Sequence, residues 1–308
     1  MDSTSINDAA LEALSQCEFY KAQILMRENA RINPSGITLN NLGVFYASEG
    51  IFNSSGFYCR ANKLGVKYLK KALDHGSPYL SFLALGHTYF KQGDFDTAIC
   101  NFKIAYKSNP DIATIYNLAM SFYRAKEYED ALLCFSKALH ICNRYEYLEV
   151  YTGYLFTLLE VDRNKCRKEI STLSQHDSRE VYSDSFILSY LCGDLKLAKL
   201  QIRRMLKHWR LDPTVVAMVF ECLTSFGKAN EARNFLNDVI ENYEDMDYNV
   251  KPEILKLKKI SSQNAYRLKI ISSFQWIRPL APQHCYYGNE KYYGSRPANS
   301  NLQYFVEE

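Results

Sequence analysis

The sequence predicts an all-α protein built from antiparallel helix hairpins stacked one on the next, followed by a capping helix and an irregular aromatic tail. Two observations predict it. The segment from Tyr79 to Pro110 places Phe82, Leu85, Gly86, Tyr89, Gly93, Ala98, Phe102, Ala105 and Pro110 at the offsets of one helix-turn-helix unit. About 33 residues later, Ile112 to Tyr145 repeats the set as Ile115, Leu118, Ala119, Phe122, Tyr128, Ala131, Phe135 and Ala138. The residue types have physical reasons. Gly86 and Ala119 stand where two helices of a hairpin cross closely, Ala98 and Ala131 let the second helix approach the next unit, and the large residues fill the space between. Pro110 stops one helix before the next begins.

The remaining elements follow by stepping along this period. Ser3 to Pro34 fits through Ala10, Phe19, Ala22, Met26 and Pro34. Gly36 to Pro78 keeps Leu42, Gly43 and Tyr46, then carries an insertion between Glu49 and Arg60 before resuming with Gly65, Leu69 and Ala72. That insertion either lengthens the hairpin turn or forms a partner-binding loop, and its aromatics Phe52, Phe57 and Tyr58 are unusual for a loop left in water. Beyond Tyr145, Glu146 to Ser178 is a degenerate unit, Arg179 to Asp212 a weak one and Pro213 to Glu244 a good one, which makes about seven hairpins over residues 3–246. Residues 247–273 read as one amphipathic helix with Ile254, Leu257, Ile260, Leu268 and Ile271 apolar, suited to cover the last open face of a stack. Residues 274–308 lose the helical period and hold eight aromatics, too apolar a set for a solvated terminus, so this tail is expected to dock on the chain itself or on a second copy.

The spacing resembles the tetratricopeptide repeat, of about 34 residues per unit. GVKYLKKALDHGSPYLSFLALG also resembles the longer Sel1-like repeat. The resemblance covers roughly residues 3–246 and implies a right-handed superhelical solenoid whose first helices line an inner groove. It further implies a non-enzymatic adaptor or scaffold that binds a protein or an extended peptide segment, or alternatively a scaffolding subunit of an enzyme complex.

The groove positions of such a fold fall here on Asn40, Asn41 and Val44, on Leu83, His87, Phe90 and Lys91, and on Tyr116, Asn117, Met120, Tyr123 and Arg124. They continue on Tyr147, Val150, Tyr151 and Tyr154, then on Asp184, Ile187 and Tyr190. An extended peptide brings unpaired backbone amides, which asparagines satisfy, while tyrosine rings supply contact area at low entropic cost. Half of such tyrosines are equally expected to pack between neighbouring first helices. Some relatives grip a C-terminal carboxylate with a lysine and asparagine, a second asparagine, and a lysine and arginine in successive units. Asn117 fits the middle role, but Leu83 and His87 before it and Tyr147 and Tyr151 after it do not fit theirs, which argues against such a clamp.

Composition narrows the rest. A net charge of +3 is too small to argue for nucleic acid, although Lys196, Lys199, Arg203, Arg204, Lys207 and Arg210 form either a basic stripe for RNA or an acidic partner, or a solvated outer face. No apolar run approaches the roughly 18 to 20 residues of a membrane span, and the first residues lack a basic start and a hydrophobic stretch, so a soluble, cytoplasmic protein is expected. Nine scattered cysteines with no CxxC pair suit a reducing compartment, with Cys100 and Cys134 read as small buried residues at repeat interfaces. Six histidines stand apart from metal-ligand spacing, and phosphate-loop, dinucleotide and nucleophile-elbow motifs are absent, so neither metal, cofactor nor enzyme activity is expected.

Overall fold

The computed structural model describes residues 3–55, 58–76, 78–141, 148–173 and 179–194, with isolated positions up to 237. Tyr147, the capping helix, the aromatic tail, and most of the last hairpin and of the basic stripe lie outside the described residues. The chain divides into two compact units, with the boundary between Val150 and Tyr151.

In the first unit, α1 (Ser3–Ser15) pairs with α2 (Phe19–Ile32), α3 (Gly36–Ser48) with α4 (Asn62–Asp74), α5 (Pro78–Lys91) with α6 (Phe95–Ser108), and α7 (Ile112–Arg124) with α8 (Tyr128–Ile141). Three-residue turns within α1–α2, α5–α6 and α7–α8 force each second helix back along the first. Successive hairpins stack through α2 on α3, α4 on α5 and α6 on α7, and first helices also touch through α3 on α5 and α5 on α7.

Why the chain turns where it does is local chemistry. Asp94 and Asp111 accept hydrogen bonds from the backbone N–H groups of Thr97 (3.2 Å) and Thr114 (2.7 Å), capping α6 and α7. Ser35 and Thr38 form a reciprocal capping box that starts α3. The close crossing expected at Gly86 is present: a Cβ there would lie 2.7 Å from the Phe102 ring of α6. In the preceding hairpin a Cβ on Gly43 would meet Leu69 of α4 at 2.8 Å. These hairpins bury Ala10, Leu11, Ala22, Met26, Leu42, Phe45, Leu69 and Leu85 in one continuous apolar cluster.

The insertion between α3 and α4 adds what the helical reading did not foresee, a short antiparallel ribbon of β1 (Ile51–Phe52) and β2 (Tyr58–Cys59) with Ile51 opposite Cys59. It is fastened to α2. Phe52 stacks on Phe19 at 5.0 Å between ring centroids, and the Gln23 amide accepts from the Phe52 N–H (2.9 Å) and donates to its carbonyl oxygen (2.8 Å). The side chain of Gln23 thus serves as one more strand residue beside β1.

The second unit is described over α9 (Leu148–Val161, from Tyr151 onward), α10 (Arg163–Leu173) and α11 (Arg179–Leu191). Asp162 is the whole link between α9 and α10, and its carboxylate accepts from the Lys165 N–H at 2.9 Å to cap α10. Cysteine placement departs from expectation at one point: Cys134 is buried in α8 as foreseen, but Cys100 is exposed on α6. Cys100 follows Ala98 and Ile99, which take the two buried directions of that turn, so its side chain is left outward.

Candidate functional site

The first helices of the first unit are joined by a series of polar contacts. Asn41 on α3 donates through Nδ2 to Oδ1 of Asn7 on α1 at 2.6 Å, and Ser81 on α5 donates to Oδ1 of Asn40 at 3.3 Å. At the next step the Tyr79 hydroxyl donates to the Asp111 carboxylate at 2.6 Å, with Thr114 Oγ1 3.3 Å away. Burial, reinforced by the carboxylate that accepts its proton, holds the Tyr79 hydroxyl far above its ordinary range, so it stays a donor. Asn40 and Asn41 are thereby engaged with neighbouring helices, although Oδ1 of Asn41 remains buried without a hydrogen-bond partner.

Along α7 the sequence places Tyr116, Asn117, Met120, Tyr123 and Arg124. Residues 114–123 of this helix are all buried, which follows from its being packed on several sides. Tyr116 meets Phe135 of α8 edge-on at 5.9 Å, and Tyr123 meets Tyr128 at 5.6 Å, so both rings pack within their own hairpin. Met120 is fully buried. Asn117 is fully buried too, and neither its amide nitrogen nor its amide oxygen has a hydrogen-bond partner.

Arg124 ends the same line of α7. Seven residues separate it from Asn117, close to two helical turns, so the two lie on nearly the same face about 10 Å apart along the axis. Its guanidinium sits over the Phe90 ring at 5.8 Å and over the Phe95 ring at 5.2 Å. Phe90 and Phe95 contact each other edge-on at 5.4 Å across the α5–α6 turn, making a platform that sets the orientation of a half-buried cation. A guanidinium that rests on rings through its faces keeps its N–H edge for other partners. Lys91, next to Phe90, is exposed, whereas His87 and Phe90 are buried.

In the second unit the Tyr151 hydroxyl donates to the Glu169 carbonyl oxygen (3.2 Å) and the Tyr154 hydroxyl to the Glu169 carboxylate (3.3 Å), with the two rings stacked at 6.1 Å. Both tyrosines therefore fasten α9 to α10. Tyr190, half-buried on α11, stacks on Phe186 at 6.4 Å. The Ser185 hydroxyl and both polar atoms of the Gln201 amide are buried without hydrogen-bond partners and were not singled out in the sequence. Phe95 was also missed, because it opens a second helix and the groove positions counted only first helices. Among the described residues no group of three or more His, Cys, Asp or Glu is placed to hold a metal, and no helix is long and apolar enough to cross a membrane.

No family model matches the chain. It is 25% identical over 186 residues to the DnaJ homolog subfamily C member 3 of Gallus gallus, a match covering 54% of this chain and 36% of that protein. Among solved structures it is similar to a tetratricopeptide repeat protein of Parabacteroides merdae, with a TM-score of 0.59 at 13% identity over 83% of this chain and 98% of the other. It is also similar to pilF of Pseudomonas aeruginosa, with a TM-score of 0.49 at 14% identity over 82% of this chain and 96% of that one. The hairpins, their alanine and glycine crossings and the Parabacteroides merdae likeness agree on the architecture: this chain has the tetratricopeptide-repeat fold.

Proposed function

We propose that the chain is a non-enzymatic adaptor whose first unit takes an extended, acidic peptide segment of a partner protein along α7. The observation that carries this reading is the Asn117 amide, a donor and an acceptor closed away from water with neither satisfied. Such a group destabilises the free chain by about 1–3 kcal/mol, and buried polar atoms left in this state are rare. A peptide unit offers the matching acceptor and donor side by side. Because Asn117 is covered in the free chain, the arriving segment displaces side chains packed over α7 as it binds.

Arg124 and Lys91 supply the charge preference. An extended strand advances about 3.3 Å per residue, so the 10 Å between Asn117 and Arg124 spans about three residues of ligand. An aspartate or glutamate at that distance from the peptide unit held by Asn117 meets the N–H edge of the guanidinium. Tyr116 and Tyr123 support the site by packing on α8 rather than by touching the ligand.

The test is a random peptide library displayed on phage and panned on the full chain. Selected peptides are expected to carry an acidic residue and to lose roughly tenfold or more in affinity for the Asn117→Ala variant, the equivalent of one buried hydrogen bond. Peptides that bind Asn117→Ala as tightly as the unaltered chain would place the site elsewhere.

A further inference from the structure

One cation of the first unit is held in place without an anion. The Arg124 guanidinium rests over the Phe90 and Phe95 rings at 5.8 and 5.2 Å, and among the described residues it makes no ion pair. Of the two carboxylates flanking Phe95, Asp94 accepts from the Thr97 N–H at 3.2 Å and Asp96 is exposed to water. Lys91, exposed beside Phe90, adds a second positive charge. A half-buried guanidinium gains more from a carboxylate than an exposed one does, because water competes less for its N–H groups. We propose that the chain supplies this carboxylate itself: residues 303–308, Gln-Tyr-Phe-Val-Glu-Glu, dock on the Arg124 platform and compete there with the acidic residue of a partner segment. The inference rests on the reading of α7 as a peptide site.

The sequence singles this segment out. Residues 274–308 hold Glu290, Glu307 and Glu308 as their only carboxylates, and Glu290 is followed directly by Lys291. Residues 297–308, by contrast, carry two carboxylates and no cation. Past Pro297 there is no proline or glycine, and Tyr304, Phe305 and Val306 favour extended backbone. In an extended segment alternate side chains share a face, so Phe305 and Glu307 lie on one side about 7 Å apart. That separation suits a carboxylate on the N–H edge of Arg124 together with a ring against Phe90 or Phe95, whose centroids are 5.4 Å apart. Glu308 meets the charge of Lys91.

This contact takes only the acidic end of the peptide site. It leaves the Asn117 amide unsatisfied, so it lowers affinity for a partner without stabilising that buried group. A tethered segment acts at an effective concentration on the order of 1 mM, so self-binding with a Kd of about 0.1 mM weakens partner binding roughly tenfold.

The experiment uses the full-length chain and, as probe, a fluorescein-labelled acidic peptide from the phage library, with affinity read by fluorescence anisotropy. Glu307→Lys combined with Glu308→Lys is expected to tighten binding roughly tenfold, whereas Glu290→Lys, a charge reversal elsewhere in the tail, leaves it unchanged. In an Arg124→Gln chain the double reversal is expected to change nothing. Equal affinities for the unaltered and doubly reversed chains, with Asn117→Ala still weakening the peptide, would overturn self-docking and leave the peptide site standing. A peptide indifferent to Asn117→Ala would refute the site and the inference with it. A gain from the double reversal that appears only at high chain concentration would assign the segment to a second copy, and would also overturn the proposal.

Discussion

Four hairpin turns among the described residues end on a left-handed backbone residue, and glycine fills only two of them: Gly93 (φ 79) and Gly193 (φ 76), against Cys17 (φ 60) and Lys126 (φ 65). All four share one hydrogen-bond pattern. In the α7–α8 turn, for example, the Lys126 N–H donates to the Tyr123 carbonyl and the Glu127 N–H to the Phe122 carbonyl, at 3.0 and 2.9 Å. The pattern requires the conformation whatever the side chain, and a residue with a Cβ is strained there. Lys126→Gly is therefore expected to stabilise the chain by about 0.5–1 kcal/mol in thermal or urea melts, and Gly93→Ala to destabilise it by about 1 kcal/mol although the added methyl meets only open space. Equal effects at both positions would contradict the strain argument. Gly93 was legible in the sequence as part of the repeat, but Cys17 and Lys126 were not, because a left-handed turn shows in a sequence only when glycine occupies it.

At the scale of elements, the insertion and α7 show where spacing stops being informative. The apolar ring of Phe52 hinted that residues 49–60 were not left in water, but its anchor, the Gln23 amide, sits 29 residues earlier on α2 and no periodicity links them. Gln23→Ala removes both bonds to a half-buried backbone unit and is expected to cost about 2 kcal/mol and to raise hydrogen exchange at Phe52 specifically. Unchanged protection at Phe52 would show that ring stacking alone holds the ribbon. On α7 the difficulty is different. A first helix with every residue from 114 to 123 buried has no exposed face along that stretch, so position along the repeat cannot distinguish a ring pointing to a ligand from one packed on its own second helix. Tyr116 and Tyr123 are of the second kind, whereas the crossings at Gly43 and Gly86, marked by small residues, were legible from the repeat.

For the molecule as a whole, the first unit reads as a stack in which each first helix is bonded to the next by polar side chains: Asn7 with Asn41, Asn40 with Ser81, Tyr79 with Asp111. Asn117 occupies the position in its hairpin that Asn41 occupies in the second, yet among the described residues its amide has no hydrogen-bond partner. A stack optimised for stability alone would carry an apolar residue there, as the intervening hairpin does with Ala84. The central claim is that Asn117 is kept for a partner. The direct measurement is the unfolding free energy of Asn117→Leu, by urea titration followed by circular dichroism. Replacing an unsatisfied buried amide by an apolar group of similar volume is expected to leave stability unchanged or to raise it by about 1–3 kcal/mol. A loss of that size would show that the amide is already satisfied within the folded chain, and would contradict the account.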